Sequence, residues 1–486
     1  MPLSRILINN LNHRVKSSAY AVRGPIAARA FELMQQLKHG DTSLPFEKIV
    51  ACNIGNPQQL NQKPLSFNRE VLSLMMNPDL EHRCQFSPDV LARAKRYMTS
   101  IPTTGVYTQS QGILEVREDV AKFLEDRDGF PANISDIFLT NGASEGVKHC
   151  MQAFVRDPAK GIRDGVLAPI PQYPLYSALL TLLGGKLVPY FLDEANNWEC
   201  SFPDLKKSLR SAREQGVTVR GMVVINPGNP TGQVMSEDSM RDIVKFCKKE
   251  SITLMADEVY QENIYRDGVT FKSFRKLAYE MDVFEGKDPF QLICFHSSSK
   301  GFTGECGLRG GFFEMLGFPD DVKAQIVKLA SISLCPNVVG QVTTGLMVNP
   351  PKPSDESYAL WKKEKDGILS SLKRRALMLS RALNKMEGMS CNDINGAMYA
   401  FPTITLPAKL ATYAREEMNM EPDAFYCMEL LEQTGLVVVP GSGFGQETGT
   451  WHFRTTFLPP EEAMEEVVRQ LDSFNSRILE KFKDEC

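Results

Sequence analysis

Short apolar runs alternate with longer amphipathic stretches from about residue 100 onward, and this alternation predicts a layered α/β fold. Six runs are predicted to be strands, because each is rich in β-branched or other apolar residues and is bounded by polar sequence. They are DIFLT ending at Thr140, GVLAPI ending at Ile170, GMVVIN ending at Asn226, ITLMAD ending at Asp257, LICFHS ending at Ser297 and GGFFEML ending at Leu316. Strands that are apolar on both faces indicate a mainly parallel sheet covered by helices on both sides.

Helical patterns lie between these runs and towards both chain ends. Residues 25–38 are predicted to form a helix, with a proline in its first turn and Gly40 just past its end. A second helix is expected from Ser236 to Glu250, where a serine N-cap precedes acidic residues. Residues 355–386 are expected to form one long helix with an apolar stripe.

This order of elements predicts a large α/β domain in the middle of the chain and a smaller domain built from both ends. We expect residues 1–85 to form an N-terminal arm and part of the small domain. Residues 86–360 would form the large domain, and residues 361–486 the C-terminal part of the small domain.

Composition and charge exclude several classes of protein. The 486 residues are 43% hydrophobic and 23% charged, which is ordinary for a globular chain and disfavours disorder, collagen and coiled coil. Basic and acidic residues are nearly balanced, 55 against 59, with a net charge of -4. That balance argues against nucleic acid or an anionic membrane as a partner. No apolar run approaches the roughly 18 residues that a membrane helix needs.

Cysteine and histidine usage bears on compartment and metal binding. The eleven cysteines are scattered without a CxxC pair, and the six histidines show no HExxH spacing, so we expect reduced thiols and no metal site. The first 31 residues hold basic side chains and no acid, with Arg5 and Arg23 among them. A basic arm belonging to the fold is favoured over a mitochondrial presequence. The protein is therefore expected in the cytoplasm, with the mitochondrial matrix as the alternative.

Polar sequence of an unusual kind follows four of the predicted strands at their carboxyl ends, where parallel sheets bind ligands. A turn of small residues, Asn141 to Gly146, leads into a helix and could expose backbone N–H groups to a phosphate. The loop PGNPTG follows Asn226, and Asp257 ends a buried strand, where a carboxylate needs a partner. Lys300 stands between serines and glycines after a fourth strand. Each segment taken alone has an ordinary structural explanation.

Together the four segments supply what pyridoxal phosphate requires. That cofactor needs a lysine amine, an acid that keeps its pyridine nitrogen protonated, donors for its phenolate oxygen, and N–H groups with a cation for its phosphate. Neither a Walker A motif nor a GxGxxG dinucleotide fingerprint is present. Pyridoxal 5'-phosphate is therefore the predicted cofactor.

Longer motifs resemble the class I/II (fold type I) pyridoxal-phosphate aminotransferases, and most closely the alanine aminotransferase branch, over nearly the whole chain. The matching segments are YAVRGPI from Tyr20, CNIGNPQ from Cys52, PIPQYPLYSA from Pro169, VINPGNPTGQV from Val224, ADEVYQEN from Ala256, SSSKGFTGECGLRGG from Ser297, GAMYAFP from Gly396 and VVVPGSGFGQ from Val437. The resemblance implies fold type I, with a central mainly parallel sheet and a smaller α/β domain. Its early start along the chain also argues against a long presequence.

The resemblance assigns roles to residues around the reacting part of the cofactor. Lys300 matches the lysine that forms a Schiff base with the cofactor and then moves a proton. Asp257 matches the acid paired with the pyridinium N1, and Tyr260 and Asn229 match the groups that hydrogen-bond the phenolate oxygen. Tyr173 looks like the aromatic residue that stacks on the ring. Lys300, Asp257 and Tyr260 are the implied catalytic residues.

Further roles concern the phosphate and the substrate. Four residues match the phosphate cradle: Ala143, Ser144, Ser297 and Arg309. Tyr107 looks like the tyrosine that reaches the phosphate of the neighbouring subunit, which implies a homodimer with shared sites. Arg454 matches the arginine that binds the substrate α-carboxylate, beside Asn229, and Gly55 resembles the backbone position near the same carboxylate. His452 and Cys306 are interpreted as packing or loop residues.

The sequence departs from the family pattern in two places. Arg309 stands nine residues after Lys300 where many members have eight, and the extra residue in GECG resembles the alanine aminotransferase branch. An arginine that recognises a side-chain carboxylate in aspartate-specific relatives has no equivalent that can be located in the sequence.

The implied activity is reversible amino transfer between L-alanine and 2-oxoglutarate, giving pyruvate and L-glutamate. Its partners would be small amino acids and 2-oxo acids. The alternatives are a glutamate:glyoxylate aminotransferase or another small-amino-acid transaminase of this family. A non-catalytic regulator that uses the same fold as a ligand sensor is a rival from another class. The full set of cofactor residues disfavours that rival, as does the short stretch of chain before the central domain.

Overall fold

A central sheet of eight strands dominates the computed structural model, which describes residues 6–20, 22 and 24–483. The strands of the chain are β1 (Val50–Ala51), β2 (Ile137–Thr140), β3 (Asp164–Ile170), β4 (Lys186–Asp193), β5 (Glu199–Cys200), β6 (Thr218–Ile225), β7 (Thr253–Asp257), β8 (Leu292–Ser297), β9 (Gly311–Leu316), β10 (Met389–Ser390), β11 (Tyr399–Ala400), β12 (Thr403–Ile404), β13 (Leu436–Val437), β14 (Val439–Pro440) and β15 (Phe453–Thr456). The order in the large sheet is β2-β9-β8-β7-β6-β3-β4-β5.

The α-helices surround this sheet and build the C-terminal third. They are α1 (His13–Ser17), α2 (Pro25–Lys38), α3 (Ser66–Met76), α4 (Pro88–Met98), α5 (Leu114–Asp128), α6 (Ala143–Phe154), α7 (Leu175–Leu183), α8 (Phe202–Glu214), α9 (Glu237–Glu250), α10 (Phe274–Glu280), α11 (Asp320–Ile332), α12 (Val338–Val348), α13 (Tyr358–Leu383), α14 (Ala408–Glu416), α15 (Pro422–Thr434) and α16 (Glu461–Lys481). No helix among the described residues is long and apolar enough to cross a membrane.

All six strands predicted from apolar runs are confirmed, to within one or two residues at most ends. β2, β3, β7, β8 and β9 are buried along their whole length, as a sheet covered on both faces requires. The sequence pattern did not single out β4, which lies near the sheet edge and alternates between buried and exposed residues around Pro189.

β5 at one edge and β9 run antiparallel to the strands they pair with, and the course of β9 shapes the site. β3, β4, β6, β7 and β8 pair in parallel, whereas β9 is antiparallel to both β8 and β2. Gly311, which starts β9, therefore pairs with Ser297 and Thr140, which end their strands. Residues just before β9 consequently lie at the same edge as the carboxyl ends of the parallel strands.

The predicted helices differ from the observed ones only at their ends. α2 spans the residues expected, and the Ser236 side chain caps α9 by accepting a hydrogen bond from the Ser239 N–H at 3.3 Å. The long helix α13 begins at Tyr358, three residues later than predicted, because Asp355 is held in a turn by the Lys352 N–H.

Apolar clusters connect distant parts of the chain. One cluster joins Leu33 of α2 with Leu372 of α13, Tyr426 of α15 and Phe474 of α16, so both chain ends contribute to it. The side chains of α3 and α4 pack instead with α5, α12 and the edge of the central sheet. The division at residues 85 and 360 stays a prediction. Arg5 and Arg23, which contribute to the basic N-terminal pattern, lie outside the described residues.

Candidate active site

A cavity of about 460 Å³ lies at the sheet edge where β2, β6, β7 and β8 end and β9 begins. Residues from the N-terminal segment, the central sheet and the C-terminal third line it together. Every residue predicted for the site lines this cavity except Tyr107, whose side chain is 77% exposed on a loop elsewhere.

Lys300 is held at the centre of the cavity by the loop that follows β8. Its Nζ donates a hydrogen bond to the Gly55 carbonyl oxygen at 2.7 Å. A side chain at residue 55 would obstruct this contact, because a Cβ there would lie 2.4 Å from the Tyr399 hydroxyl and 2.9 Å from Lys300 Nζ. Glycine at position 55 therefore keeps the space that the amine uses.

Asp257 ends β7 and is buried beneath the same cavity. Its Oδ2 accepts a hydrogen bond from the Tyr176 hydroxyl at 2.8 Å, while its Oδ1 is buried with no hydrogen-bond partner among the described residues. Burial raises the pKa of Asp257 to about 6, although Tyr176, the Val259 N–H and Lys300 oppose that shift. Asp257 is thus a buried carboxyl group, and its Oδ1 is available to a cationic partner.

The N-terminus of α6 and the Arg309 guanidinium form a cradle for an anion. Arg309 donates to the carbonyls of Cys306 at 2.9 Å and Asn141 at 3.1 Å, and to Ser299 Oγ at 3.3 Å. A Cβ at Gly142 would lie 2.4 Å from an Arg309 nitrogen, so the close approach needs glycine. Free N–H groups at a helix start, next to a cation, favour a phosphate.

Ser297 and Ser299 differ in what their hydroxyls contact. Ser297 Oγ donates to the Gly310 carbonyl at 3.2 Å and accepts from the Ser299 N–H at 3.1 Å, so it shapes the loop. Ser299 faces Arg309 and lines the cavity, although sequence reasoning did not select it. Its place in the SSSK run was the available signal.

Arg454 projects from β15 and is only 1% exposed. It donates to Asn229 Oδ1 at 3.0 Å and to the Asn53 carbonyl, while its Nε has no hydrogen-bond partner among the described residues. The guanidinium lies between the rings of Tyr399 and Phe444, at 4.1 and 4.7 Å from their centroids. A buried, sandwiched cation of this kind suits a small carboxylate.

Two tyrosines meet above Asp257. The hydroxyls of Tyr260 and Tyr399 are 3.3 Å apart. Burial raises the pKa of Tyr260 well above its usual range. Burial also opposes ionisation of Tyr399, but the charges of Lys300 and Arg454 outweigh it and lower the pKa of that residue. Tyr399 was not selected from the sequence, although it stands in the GAMYAFP motif.

The N-terminal segment closes one side of the cavity. The Tyr20 hydroxyl lies 2.6 Å from the Tyr173 hydroxyl, and the two rings meet edge to face at 6.3 Å. Val22 also lines the cavity. Tyr20 was not selected as a site residue from the sequence, although it opens the YAVRGPI motif. Ala21, also in the YAVRGPI motif, lies outside the described residues.

Cysteine residues lie both at the cavity and away from it. Cys306 lines the cavity, and its thiol contacts the Ser299 carbonyl at 3.1 Å. The ten cysteines in the described part of the chain are free thiols. Within the described residues, no group of three or more His, Cys, Asp or Glu side chains is arranged to hold a metal ion.

Comparison with known proteins identifies the family. The model of "Aminotransferase class I and II" matches residues 72–471. The chain is 52% identical to "Alanine aminotransferase 2" of Panicum miliaceum, with 99% of each chain covered. It is 50% identical to "Alanine aminotransferase 1, mitochondrial" of Arabidopsis thaliana, covering 99% of this chain and 88% of that protein.

Two further matches bear on function and fold. "Glutamate--glyoxylate aminotransferase 2" of Arabidopsis thaliana is 47% identical, with 100% of this chain and 98% of that protein covered. A solved structure, "Alanine aminotransferase from Pyrococcus furiosus", matches with a TM-score of 0.74 at 25% identity, covering 96% of this chain and 99% of the other. The chain therefore belongs to the class I and II aminotransferase family, and it is a pyridoxal-phosphate-dependent transaminase of fold type I.

Proposed function

We propose that this enzyme transfers an amino group reversibly between L-alanine and 2-oxoglutarate, giving pyruvate and L-glutamate. The observation that carries the proposal is the meeting of the Lys300 amine, the open oxygen of Asp257 and the Arg454 guanidinium in one cavity of about 460 Å³. The relatives that are about half identical over the full chain, and are named for alanine, support this choice of substrate.

The residues around the cavity fit pyridoxal phosphate. Asp257 Oδ1 is buried without a partner among the described residues, so it can accept a hydrogen bond from a protonated ring nitrogen. The start of α6 and Arg309 would hold the phosphate, with Ser299 beside them. Tyr260 and Asn229 would hold the phenolate oxygen, and Tyr173 would lie against the ring. When bound, the cofactor supplies a carbonyl that condenses with amines and a ring that withdraws electrons.

Arg454 would bind and orient the substrate. Its contacts with Asn229 and Asn53 leave further N–H groups of the guanidinium. These can donate to both oxygens of a substrate α-carboxylate, forming a bidentate pair. The site is buried, so that pair would form with little competing water, and the substrate Cα would be held in one orientation. Gly55 contributes its carbonyl oxygen and the room that a side chain would take.

Lys300 would act as the acid–base group. Its Nζ is already directed into the cavity by the Gly55 carbonyl at 2.7 Å. An amine in this place can take a proton from the substrate Cα and return it elsewhere, which is general acid–base catalysis. The hydrogen bond to Gly55 would hold the amine near its working position between the two transfers.

A homodimer is part of the proposal. Tyr107 is 77% exposed, and Ile332, Leu334 and Met76 are exposed apolar side chains on neighbouring segments. Thr104 contacts Met76, and Ser110 contacts the Leu334 carbonyl, so these segments form one surface around the Tyr107 loop. We infer that a second copy covers this surface and that Tyr107 reaches the phosphate of the neighbouring site.

The compartment is proposed as the cytoplasm, with the mitochondrial matrix as the alternative. A relative named as mitochondrial, of which this chain covers 88%, supports the matrix. Imaging of the full-length chain with a C-terminal tag would distinguish the two.

Glutamate:glyoxylate transamination is the second candidate, because a relative named for it is 47% identical over the whole chain. A panel of keto acids separates the two activities. We expect turnover with L-alanine and 2-oxoglutarate to exceed turnover with L-glutamate and glyoxylate. The opposite ranking would assign the second activity instead.

The proposal is tested on the purified protein loaded with pyridoxal phosphate. L-alanine should change the absorbance of the bound cofactor, 2-oxoglutarate should restore it, and pyruvate should accumulate. Lys300→Ala should lower kcat by at least about 10²- to 10⁴-fold, since it removes the acid–base group. An unchanged spectrum with L-alanine would rule the proposal out, and a kcat within about tenfold of the unsubstituted enzyme in Lys300→Ala would remove the lysine from its role.

A further inference from the structure

His452 lies two residues before Arg454, directly before β15, and lines a second cavity of about 590 Å³. Residues at the end of β4 and in the C-terminal third of the chain line this cavity together. The His452 ring is buried, stacked on Phe401 at 4.8 Å with an interplanar angle of 2°, and edge-on to Trp198. Such a ring has little freedom to turn.

Polar side chains contact the His452 ring on both sides and hold it in place. Nε2 lies 3.1 Å from Glu194 Oε2, and a carboxylate oxygen only accepts. Nδ1 lies 3.0 Å from Gln446 Oε1. The Gln446 amide is held in turn by Asp423, since its nitrogen donates to Asp423 Oδ2 at 3.1 Å. The His452 ring is therefore fixed between Glu194 and Gln446.

Glu194 connects the ring to the central sheet. It directly follows β4, and it is also held from the C-terminal third by the Thr403 hydroxyl and by the Asn392 side chain, which donates to its carbonyl at 2.8 Å. Burial favours the neutral acid, but hydrogen bonds from His452 and Thr403 outweigh it and hold the pKa of Glu194 below its usual range. Asp193, Glu447 and Cys391 are the other titratable groups that line the same cavity.

The backbone of His452 is tied in as well. Its carbonyl accepts a hydrogen bond from the Gly441 N–H at 2.8 Å, and the residue forms a β-bridge with Thr403. Val439 pairs with Arg454 and Tyr399 pairs with Thr456 in the small sheet of β11, β15 and β14. Any shift of His452 along the strand would therefore move the guanidinium of Arg454 within the active site.

We propose that Glu194 and His452 form a positioning pair that sets the place of Arg454, and thereby the affinity for substrate carboxylates. The pair would anchor the start of β15 to the end of β4. This proposal rests on the carboxylate-binding role proposed for Arg454. Neither residue touches the substrate, so both act through the strand. A displaced Arg454 would pair less well with the substrate carboxylate in the ground state and in the transition state alike, so the effect falls on affinity.

The test separates binding from catalysis. His452→Phe keeps a flat ring against Phe401 and removes both ring nitrogens. We expect the KM values for L-alanine and 2-oxoglutarate to rise about fivefold to fiftyfold while kcat changes less than about threefold, since uniform binding is lost. The affinity for succinate, a carboxylate that does not react, should fall by a similar factor in calorimetry.

Variants of Glu194 provide the second arm. Glu194→Ala should raise KM as His452→Phe does, and the double variant should be no worse than either single one, because the two residues act as a unit. Glu194→Gln should keep most of the affinity that Glu194→Ala loses, since its amide can still hydrogen-bond the His452 ring. Glu447→Gln, in the same cavity without a contact to the ring, is the matched control and should leave KM unchanged.

Three results would overturn the pairing. They are unchanged KM and succinate affinity in His452→Phe and Glu194→Ala, additive effects in the double variant, or a rise in KM for Glu447→Gln as large as theirs. Arg454→Lys tests the premise separately. If its KM stays unchanged while the enzyme turns over, the role of Arg454 fails and not merely that of the pair.

Discussion

The pKa of Asp257 depends on the charge placed beside Oδ1, which has no hydrogen-bond partner among the described residues. Burial raises this pKa to about 6, against an ordinary value of 3.8, even with the charge of Lys300 nearby. A raised pKa means that the folded chain resists ionisation of this carboxyl. A protonated ring nitrogen placed at Oδ1 stabilises the carboxylate, so binding of that cation drives off the proton when the pH lies below about 6.

The affinity of the cofactor-free protein for pyridoxal phosphate should therefore weaken as the pH falls from 7 to 5. The contribution of Asp257 approaches about tenfold per pH unit below its pKa. Asp257→Asn should bind more weakly at pH 7 and should lack this part of the pH dependence. Fluorescence titration at each pH measures both proteins, and the titration of the cofactor phosphate is common to both. The same slope in the two proteins would contradict the assignment.

The sequence predicted site residues that belong to a recognisable motif. It did not predict residues that reach the site from a distant part of the chain. Lys300, Asp257 and Arg309 stand at strand ends, so their position along the chain predicts their position in space. Tyr176 contacts Asp257 from the opposite side of the site, and the Asn53 carbonyl holds Arg454 from the N-terminal segment. Their side-chain directions and chain paths depend on tertiary packing, which one sequence does not reveal.

The loop between β8 and β9 depends on a residue from another segment. Asn263 is completely buried, and its side chain brackets Gly301: Oδ1 accepts from the Gly301 N–H at 2.9 Å, and Nδ2 donates to the Gly301 carbonyl at 3.4 Å. Gly301 follows Lys300 directly and has a φ of 67°, a region that favours glycine. Asn263 thus braces the turn that directs the lysine.

Asn263→Ala should lower kcat about tenfold, because the lysine would lose its fixed approach to the cavity. It should also lower the free energy of unfolding by about 1–3 kcal/mol, since buried groups of Gly301 lose their partner. Steady-state kinetics and thermal unfolding measure the two effects.

Ser236→Ala is the control for stability alone. It removes the cap of α9, far from the loop, at a cost of about 1 kcal/mol, and should leave kcat unchanged. If Asn263→Ala also left kcat unchanged, the brace would be structural only.

The sequence predicted strands more reliably the more completely they are buried. Apolar runs predicted six strands of the sheet, five of which are buried along their whole length, and cap residues predicted α9. β4 carries exposed residues on alternate positions and a proline, and two-residue strands such as β11 and β14 are too short to leave a pattern. The antiparallel direction of β9 was not foreseen either, because direction depends on the path of the connecting loop.

At the scale of the whole molecule, one exposed apolar surface lies where the Tyr107 loop meets the end of α11. Tyr107, Ile332 and Met76 are exposed by 77%, 78% and 61% of their areas. Apolar side chains exposed together mark a contact surface. A homodimer would cover them and bring Tyr107 towards another site.

Sedimentation at micromolar concentration should give twice the chain mass of 54.4 kDa. Tyr107→Phe should keep the dimer and weaken pyridoxal phosphate binding about threefold to tenfold, the loss of roughly one hydrogen bond. Ile332→Glu should weaken the dimer itself, because it introduces a charge into an apolar contact. A monomer in the unsubstituted protein, or a Tyr107→Phe variant with unaltered cofactor affinity, would contradict the arrangement.

The antiparallel course of β9 has a mechanical consequence. Lys300 and Arg309 stand on one hairpin, whose two strands are paired over six residues from Leu292 to Ser297. In the proposed arrangement, that single ribbon holds the cofactor at its reactive end and at its phosphate. Arg454, which would hold the substrate, belongs to a different sheet. The enzyme can thus release a product from Arg454 while the hairpin still binds the cofactor. An extra residue in the loop between Lys300 and Arg309 lengthens that loop, but the strand pairing still keeps its two ends together.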